Sequence, residues 1–312
     1  MKNIVIEVND LTKDYGFNRG VFDVSFEVEK GEVFGFLGPN GAGKSTTVRH
    51  LMGFSKSDSG DTLINGMDTF ENYYMILKDV GYIPGELALP EGLNGYEFIK
   101  MIQDLSGIHN SERLKMLLDL FKLNHTTLKM NTKQMSLGSK RKLSIVTAFM
   151  GDPSILILDE PTSGLDPFMQ DVFINFLKKE KKRKKTIFLS SHLFNEVEQT
   201  CDRISIIKDG RIVSTFKTSD LKHSKDKIYF LEFEKNKQFL SFINQKTNFF
   251  KIIDNNHELL KTTIQVNDNN ISNLIDELSK FRLKEFSHNP QTLEEYFISF
   301  YVEDKDFGGI KL

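Results

Sequence analysis

Gly38-Pro39-Asn40-Gly41-Ala42-Gly43-Lys44-Ser45-Thr46 has the spacing of a phosphate loop. Its glycines let successive backbone N–H groups curl around an anionic phosphate where side chains would collide. Lys44 places a cation on the outer phosphates, and Ser45 offers a hydroxyl to Mg²⁺. The preceding run, Glu32-Val33-Phe34-Gly35-Phe36-Leu37, is mostly apolar and reads as a buried strand feeding the loop. The helix that opens at the loop points its positive end at the same anion. An ordinary glycine turn is the plainer reading, and the strand before it and the helix after it argue against that.

Two later runs, Ile155-Leu156-Ile157-Leu158 and Thr186-Ile187-Phe188-Leu189, are equally apolar. Helical periodicity is strong elsewhere: Leu114, Leu117, Leu118 and Phe121 share one face behind Ser111, which is expected to cap that helix. Buried strands alternating with helices predict an α/β fold with a mostly parallel, doubly wound sheet. Its ligands would sit beyond the carboxyl ends of the strands. Upstream, Met1 to Val8 meets acid too soon for a secretory leader and reads as a first strand. Val21-Phe22-Asp23-Val24-Ser25-Phe26-Glu27-Val28 alternates strictly, the period of a strand with one face buried. Asp209-Gly210, between Arg203–Ile207 and Arg211–Val213, is a hairpin signal.

A second chemical signal follows Leu158, where Asp159 and Glu160 end a central strand at the ligand-facing edge. Mg²⁺ takes few carboxylates together with water and phosphate oxygen, which suits Asp159. Glu160 is then free to polarise an attacking water. With the phosphate loop, the pair reads as a hydrolase for a nucleoside triphosphate. A strand merely ending in solvated acids is the competing reading, weakened by that loop.

Composition bounds the rest. The chain has 312 residues, enough for about two domains at ~150 residues each. Hydrophobic residues are 39% and charged residues 27%, which excludes global disorder and fibrous repeats. A formal net charge of −2, with both parts near neutral when split near residue 220, argues against a nucleic-acid partner held by charge. No apolar run approaches the ~20 residues of a bilayer span. The single cysteine, Cys201, leaves no internal disulfide, and no Cys/His spacing suggests zinc. These features lead us to expect a soluble, cytosolic chain. The dense charge run Lys178-Lys179-Glu180-Lys181-Lys182-Arg183-Lys184-Lys185 closes a helix through Val172, Phe173, Phe176 and Leu177 and reads first as a solvated helix end. Attraction to an anionic membrane leaflet is its alternative. The 27 phenylalanines are taken mostly as core.

Several further segments resemble the ATP-binding subunits of ABC transporters, over about two-thirds of the chain between Asn9 and Gly210. Met135-Ser136-Leu137-Gly138-Ser139-Lys140-Arg141-Lys142-Leu143 is similar to the family signature. Pro161-Thr162-Ser163-Gly164-Leu165-Asp166-Pro167 resembles its D-loop, and Ser190-Ser191-His192 its switch histidine. Tyr15 stands where the family stacks an aromatic ring on adenine. The resemblance implies a P-loop NTPase domain over residues 1–220, with an antiparallel β subdomain and a helical subdomain at about 86–150. It implies ATP and Mg²⁺ as ligands and a head-to-tail homodimer or heterodimer. Each ATP would lie between one subunit's phosphate loop and the other's Ser136, Gly138 and Ser139. His192 would contact the γ-phosphate or the attacking water, and Asp166 would serve communication between subunits, with a capping role as its alternative. Ser136 and Gly138 are expected just before a helix, so that a hydroxyl and free N–H groups face an incoming anion.

Two departures stand out. Leu137 replaces the first signature glycine and Ser139 the following glutamine, a Ser-Leu-Gly form resembling a branch of exporter ATPases. In Val80-Gly81-Tyr82-Ile83-Pro84-Gly85-Glu86, similar to the Q-loop, Gly85 stands where the family has a glutamine reaching Mg²⁺ and water. Either Glu86 substitutes as a metal-side acid or water fills the gap. The resemblance implies that the helical subdomain receives a membrane subunit, and Leu87, Leu89 and Leu93 are candidates for that groove, with core packing near helix ends as their alternative.

Beyond Asp220 the pattern changes to a second domain, residues 221–312. Ile228–Phe233, Phe249–Ile253, Leu259–Val266 and Leu283–Phe286 read as strands. Phe239–Ile243, Ile271–Leu278 and Leu293–Val302 read as helices. The order suits a small ferredoxin-like α+β domain. The resemblance implies an exporter ATPase on the inner face of the cell membrane, bound to separate integral membrane permease subunits and to no nucleic acid. Its competitors are a soluble ABC-type ATPase of translation or DNA repair and a nucleotide-gated regulatory module.

Overall fold

The computed structural model describes residues 3–222, 226–245 and 247–288, with Leu293 and Phe297 beyond them. The chain divides into two compact units, Met1–Lys217 and Thr218–Leu312. The first unit begins with strands β1 (Ile4–Asp14), β2 (Gly20–Glu29) and β3 (Val33–Leu37), then helix α1 (Lys44–Leu51). Strands β4 (Ser59–Ile64) and β5 (Met67–Asp68), the short α2 (Tyr73–Ile76) and β6 (Val80–Ile83) follow. A helical stretch holds α3 (Gly95–Ser106), α4 (Ser111–Leu120), α5 (His125–Lys129) and α6 (Leu137–Met150). The unit ends with β7 (Ile155–Asp159), α7 (Pro167–Lys182), β8 (Thr186–Ser191), α8 (Phe194–Thr200), β9 (Arg203–Lys208) and β10 (Arg211–Lys217).

Six strands form one sheet in the order β10-β9-β3-β8-β7-β6, parallel except for the hairpin edge β10. Strands β3, β7 and β8 are buried at every position, as strands covered on both faces must be. A second sheet, β2-β1-β4-β5, is antiparallel. Phe26 on β2 meets Phe34, Phe36 and Phe188 at ring separations of 5.1, 5.4 and 5.5 Å, so aromatic packing joins the two sheets. Phe121, Phe149, Phe173 and Phe176 form a second aromatic cluster joining α4's end, α6 and α7. Most phenylalanine in these elements is therefore core.

Three local readings need correction. Strict alternation in β2 would turn Val21 away from Val24, Phe26 and Val28, yet all four are buried. The register between β1 and β2 slips here, and Asp23 takes φ 52°, so an irregularity resets the phase. Ser111 does not cap α4; Asn110 does, its side chain accepting from the Arg113 N–H. The basic run at the end of α7 is only partly solvated. Glu180 and Lys185 are buried, and Lys178 and Lys181 bond Gln199 and the Thr200 carbonyl.

The second unit contains α9 (Thr218–Lys222), β11 (Asp226–Phe233), α10 (Asn236–Ile243), β12 (Phe250–Asn256), β13 (Lys261–Asn267), α11 (Ile271–Leu278) and β14 (Leu283–His288). Its antiparallel sheet runs β12-β13-β11-β14, the strand order of a ferredoxin-like split βαβ unit. Phe239 and Phe242 of α10 and Leu274 of α11 pack on Tyr229, Leu231, Phe233 and Ile264. The helix expected at Leu293–Val302 lies outside the described residues, apart from Leu293 and Phe297.

Candidate active site

Parallel pairing brings the carboxyl ends of four strands to one edge. Leu37 pairs with Ser191, Asp159 with Ser190 and Leu158 with Ile83, so the chain leaves the sheet there four times. From β3 it enters the glycine loop and α1. From β7 it enters Glu160 and the turn behind it, from β8 His192, and from β6 Pro84-Gly85. The site residues therefore meet because of strand direction, though Gly38 and His192 are 154 positions apart in the sequence.

The glycine loop passes close to its own scaffold. Gly43 has φ 108°, and a Cβ there would come within 2.7 Å of Val21 Cγ1, so only glycine fits. Lys44 is buried; its Nζ donates to the Gly38 and Pro39 carbonyls at 2.7 and 3.1 Å and lies 3.0 Å from Glu160 Oε1. That pair is ionic without hydrogen-bond alignment, since the ammonium protons serve the loop carbonyls and Oε1 has no aligned donor. Glu160 Oε2 lies 2.5 Å from His192 Nδ1, and an ionised carboxylate only accepts, so the ring N–H donates. Glu160 itself has φ 49°, an uncommon conformation for a side chain of this size, and its carbonyl accepts from the Ser163 N–H as the chain turns.

Asp159 is buried, and its Oδ1 accepts from the Ser190 hydroxyl. A Cβ built on Gly85 would lie 2.7 Å from Asp159 Oδ2 and 3.6 Å from Ser45 Oγ. The two oxygens therefore converge beside Gly85. One carboxylate and one hydroxyl are the donor set Mg²⁺ takes when phosphate and water complete its shell, so these residues fit that ion. Burial and the nearby Asp159 charge push the Tyr82 hydroxyl up to about 12.

An open cleft of about 560 Å³ is lined by Tyr15, Arg19, Gly41, Gly43, Lys44, Ser45, Thr46, Arg49 and Glu160. Asn40 also lines it. Tyr15 stands exposed in the turn between β1 and β2, and the Asp209-Gly210 hairpin turn closes the same rim. The cleft is thus lined by an aromatic ring as well as by the phosphate loop. Glu86 is exposed and has no polar contact with Asp159 or Ser45, so the structure does not bring it to the metal side. Leu87, Leu89 and Leu93 are half-buried rather than free.

Ser136, Gly138, Ser139 and Asp166 are not in this cleft. Ser136 caps α6, its hydroxyl accepting from the Ser139 N–H, and Gly138 lies inside the first turn rather than ahead of it. Asp166 caps α7, accepting from the Met169 N–H, with Pro167 at the first helical position. Leu137 is more than half exposed and rests against Gly164: a Cβ on Gly164 would meet Leu137 Cδ2 at 2.8 Å, and Gly164 has φ 81°. The leucine that departs from the glycine pattern packs directly on the D-loop glycine.

Two residues escaped the sequence reading. Arg141 is buried and donates to three main-chain carbonyls. Glu196 is buried behind His192, where its Oε2 accepts from Ser191 Oγ at 2.6 Å while the same hydroxyl accepts from the Leu193 N–H. Burial pushes the Glu196 carboxyl up to about 7, against hydrogen bonds from Ser191 and Thr162 that lower it.

Residues 21–163 match the protein family described as ABC transporter. The bacitracin transport ATP-binding protein BcrA of Bacillus licheniformis is 36% identical over 246 residues, 78% of this chain and 79% of that protein. BcrA of Enterococcus faecalis is 30% identical over 304 residues, 94% of this chain and 95% of that protein. Among solved structures, the ATP binding subunit of an ABC transporter superposes with a TM-score of 0.64 at 32% identity, covering 70% of this chain and 92% of its own.

Proposed function

The chain belongs to the ABC transporter family of ATP-binding proteins, and we propose that it is the ATP-hydrolysing subunit of an exporter of drugs, antibiotics or peptides. The observation that carries this is the shared edge of β3, β7 and β8, where the phosphate loop, Asp159, Glu160 and His192 stand together. Two relatives are named for bacitracin transport, and the alignment with one extends over 304 residues, beyond the first unit. No helix among the described residues is long and apolar enough to cross a membrane. The proposed partners are integral membrane permease subunits.

ATP enters with its base on Tyr15 and its phosphates on the N–H groups of Gly41 and of Gly43 to Thr46, while the Gly38 and Ala42 N–H groups stay bonded to the Ser191 and Pro39 carbonyls. Lys44 then exchanges its loop carbonyls for anionic phosphate oxygen, where both partners of the bond carry charge. Ser45 and Asp159 would hold Mg²⁺, which would neutralise phosphate charge. Glu160 takes the proton of the attacking water, and the His192 N–H holds the carboxylate in place for that step. A second ATP-binding subunit, identical or related, brings Ser136, Gly138 and Ser139 over the nucleotide, the N–H groups of its α6 facing the anion. Asp166 acts at that seam, and hydrolysis reopens it, which drives the permease. The second unit is an accessory domain of this ATPase.

Copurification tests the assignment. The chain expressed with a candidate permease should enter detergent micelles with it and show ATP turnover changed by the permease. A chain that hydrolyses ATP but never associates with membrane protein would favour a soluble ABC ATPase.

A further inference from the structure

Position 85 raises a physical problem, because a loop that flanks the metal side carries no side chain to fix it. The carbonyls of Pro84 and Gly85 nevertheless have definite partners. Arg141 Nη1 donates to the Pro84 carbonyl at 2.6 Å and Nη2 to the Gly85 carbonyl at 2.7 Å. Its Nε donates to the Ser163 carbonyl at 3.0 Å, in the turn that follows Glu160. Only 2% of Arg141 is exposed, so these bonds do not compete with water. Burial lowers the guanidinium pKa while the charges of Asp159, Glu160 and Glu196 raise it, and arginine stays charged. Four residues earlier on the same helix face, Leu137 packs on Gly164. One face of α6 thus grips both loops that border the candidate hydrolysis site.

The grip matters because the Gly85 main chain runs beside the metal-side oxygens, close enough that a Cβ on it would lie 2.7 Å from Asp159 Oδ2 and 3.6 Å from Ser45 Oγ. A single methyl group added there would already collide with Asp159 Oδ2. The loop backbone is therefore a wall of the site, and its placement to a fraction of an ångström is set by the two carbonyls that Arg141 holds. A guanidinium fork spans three carbonyls in fixed geometry, which a lysine ammonium on a flexible stem does not reproduce.

We propose that Arg141 is a positioning residue for ATP hydrolysis: it clamps the Pro84–Gly85 main chain against Asp159 and Ser45, doing by backbone restraint what no side chain at position 85 can do. The inference rests on the ATPase reading above and concerns this chain's own metal-side wall.

R141K keeps the buried charge and loses the fork. ATP affinity is measured by calorimetry in EDTA and again with Mg²⁺, and turnover by phosphate release. Affinity in EDTA should stay within about threefold of wild type because the phosphate loop is untouched. Turnover should fall about 10²-fold, the scale of a 1 Å misplacement, and the gain in ATP affinity on adding Mg²⁺ should shrink. Unchanged turnover and an unchanged Mg²⁺ gain would overturn the proposal, as would equal loss of turnover and of metal-free affinity. Should R141K fail to fold, R141Q is read in the same way, because its amide still donates but cannot span both the Pro84 and Gly85 carbonyls. If the wild type binds ATP without hydrolysing it, the ATPase reading fails, and the Mg²⁺ gain alone then decides the role of Arg141.

Discussion

His192 Nδ1 lies 2.5 Å from Glu160 Oε2, on the turn that leaves β8 beside the end of β7. The other oxygen of that carboxylate faces Lys44 at 3.0 Å, so Glu160 stands between a histidine N–H and the phosphate-loop cation. Replacing His192 by alanine removes the donor that fixes the proposed base but no group on the phosphates' path into the loop. H192A should keep ATP affinity within about threefold and lose about 10²-fold in turnover. Phosphate release and ATP titration on one preparation check this.

Lys44 should behave in the opposite sense. Its ammonium is the buried cation closest to the loop, and charge-assisted bonds contribute about 1.5–3 kcal/mol each. K44A should weaken ATP binding by about tenfold or more in direct titration. Unchanged affinity would remove Gly38–Thr46 from the nucleotide site.

The ion pairs around Asp152 and Glu180 tie the helical stretch to α7 and to the turn before β8. Arg113 on α4 bonds Glu180 at 2.9 Å and the Phe149 carbonyl at 2.7 Å, while Arg183 and Lys185 close on Asp152. R113M leaves Glu180 buried with Arg183 as its remaining partner and should cost about 2 kcal/mol in urea unfolding. Burial raises the Asp152 pKa, but hydrogen bonds from Arg183 and Lys185 and the Arg113 charge outweigh it and hold the carboxyl at about 2. A depressed carboxylate contributes stability that is whole above its unfolded value and lost as pH falls through its folded one. D152N should therefore remove part of the acid sensitivity between about pH 4 and 2.

Glu196 has the reverse sign. Its folded pKa of about 7 lies above the ordinary 4.5, so the native protein keeps a proton that the unfolded chain releases. Its contribution to stability falls as pH rises from about 4.5 to 7 and is flat above that. The difference in melting temperature between wild type and E196Q should follow that window. Parallel curves would show that the carboxyl is not protonated in the folded protein.

Much of this site was legible because it is written in local chemistry. A glycine loop needs its spacing, and a strand buried on both faces needs an unbroken apolar run, so Gly38–Thr46, Asp159 and Glu160 declared themselves. Parallel pairing then brought His192 to them. Arg141 was not legible: its carbonyl partners lie 57, 56 and 22 residues away, and no residue type advertises a backbone carbonyl. The same holds for the basic run, whose acids Asp152 and Asp202 stand on other elements. Leu137 looked like a defect in a glycine pattern and is a packing contact with Gly164. The irregularity at Asp23 hid because apolar residues happen to stand on both of its phases, and Asn110 took the cap from its neighbour Ser111.

E160Q tests the central claim most directly, since the amide keeps the size of the side chain and loses its proton-accepting charge. With Mg²⁺ and ATP, the variant should bind nucleotide within about threefold of wild type and release phosphate at least about 10²-fold more slowly. Phosphate release from E160Q at the wild-type rate, with ATP bound, would contradict the assignment of Glu160 as the base and with it the hydrolytic site described at the edge of β3, β7 and β8.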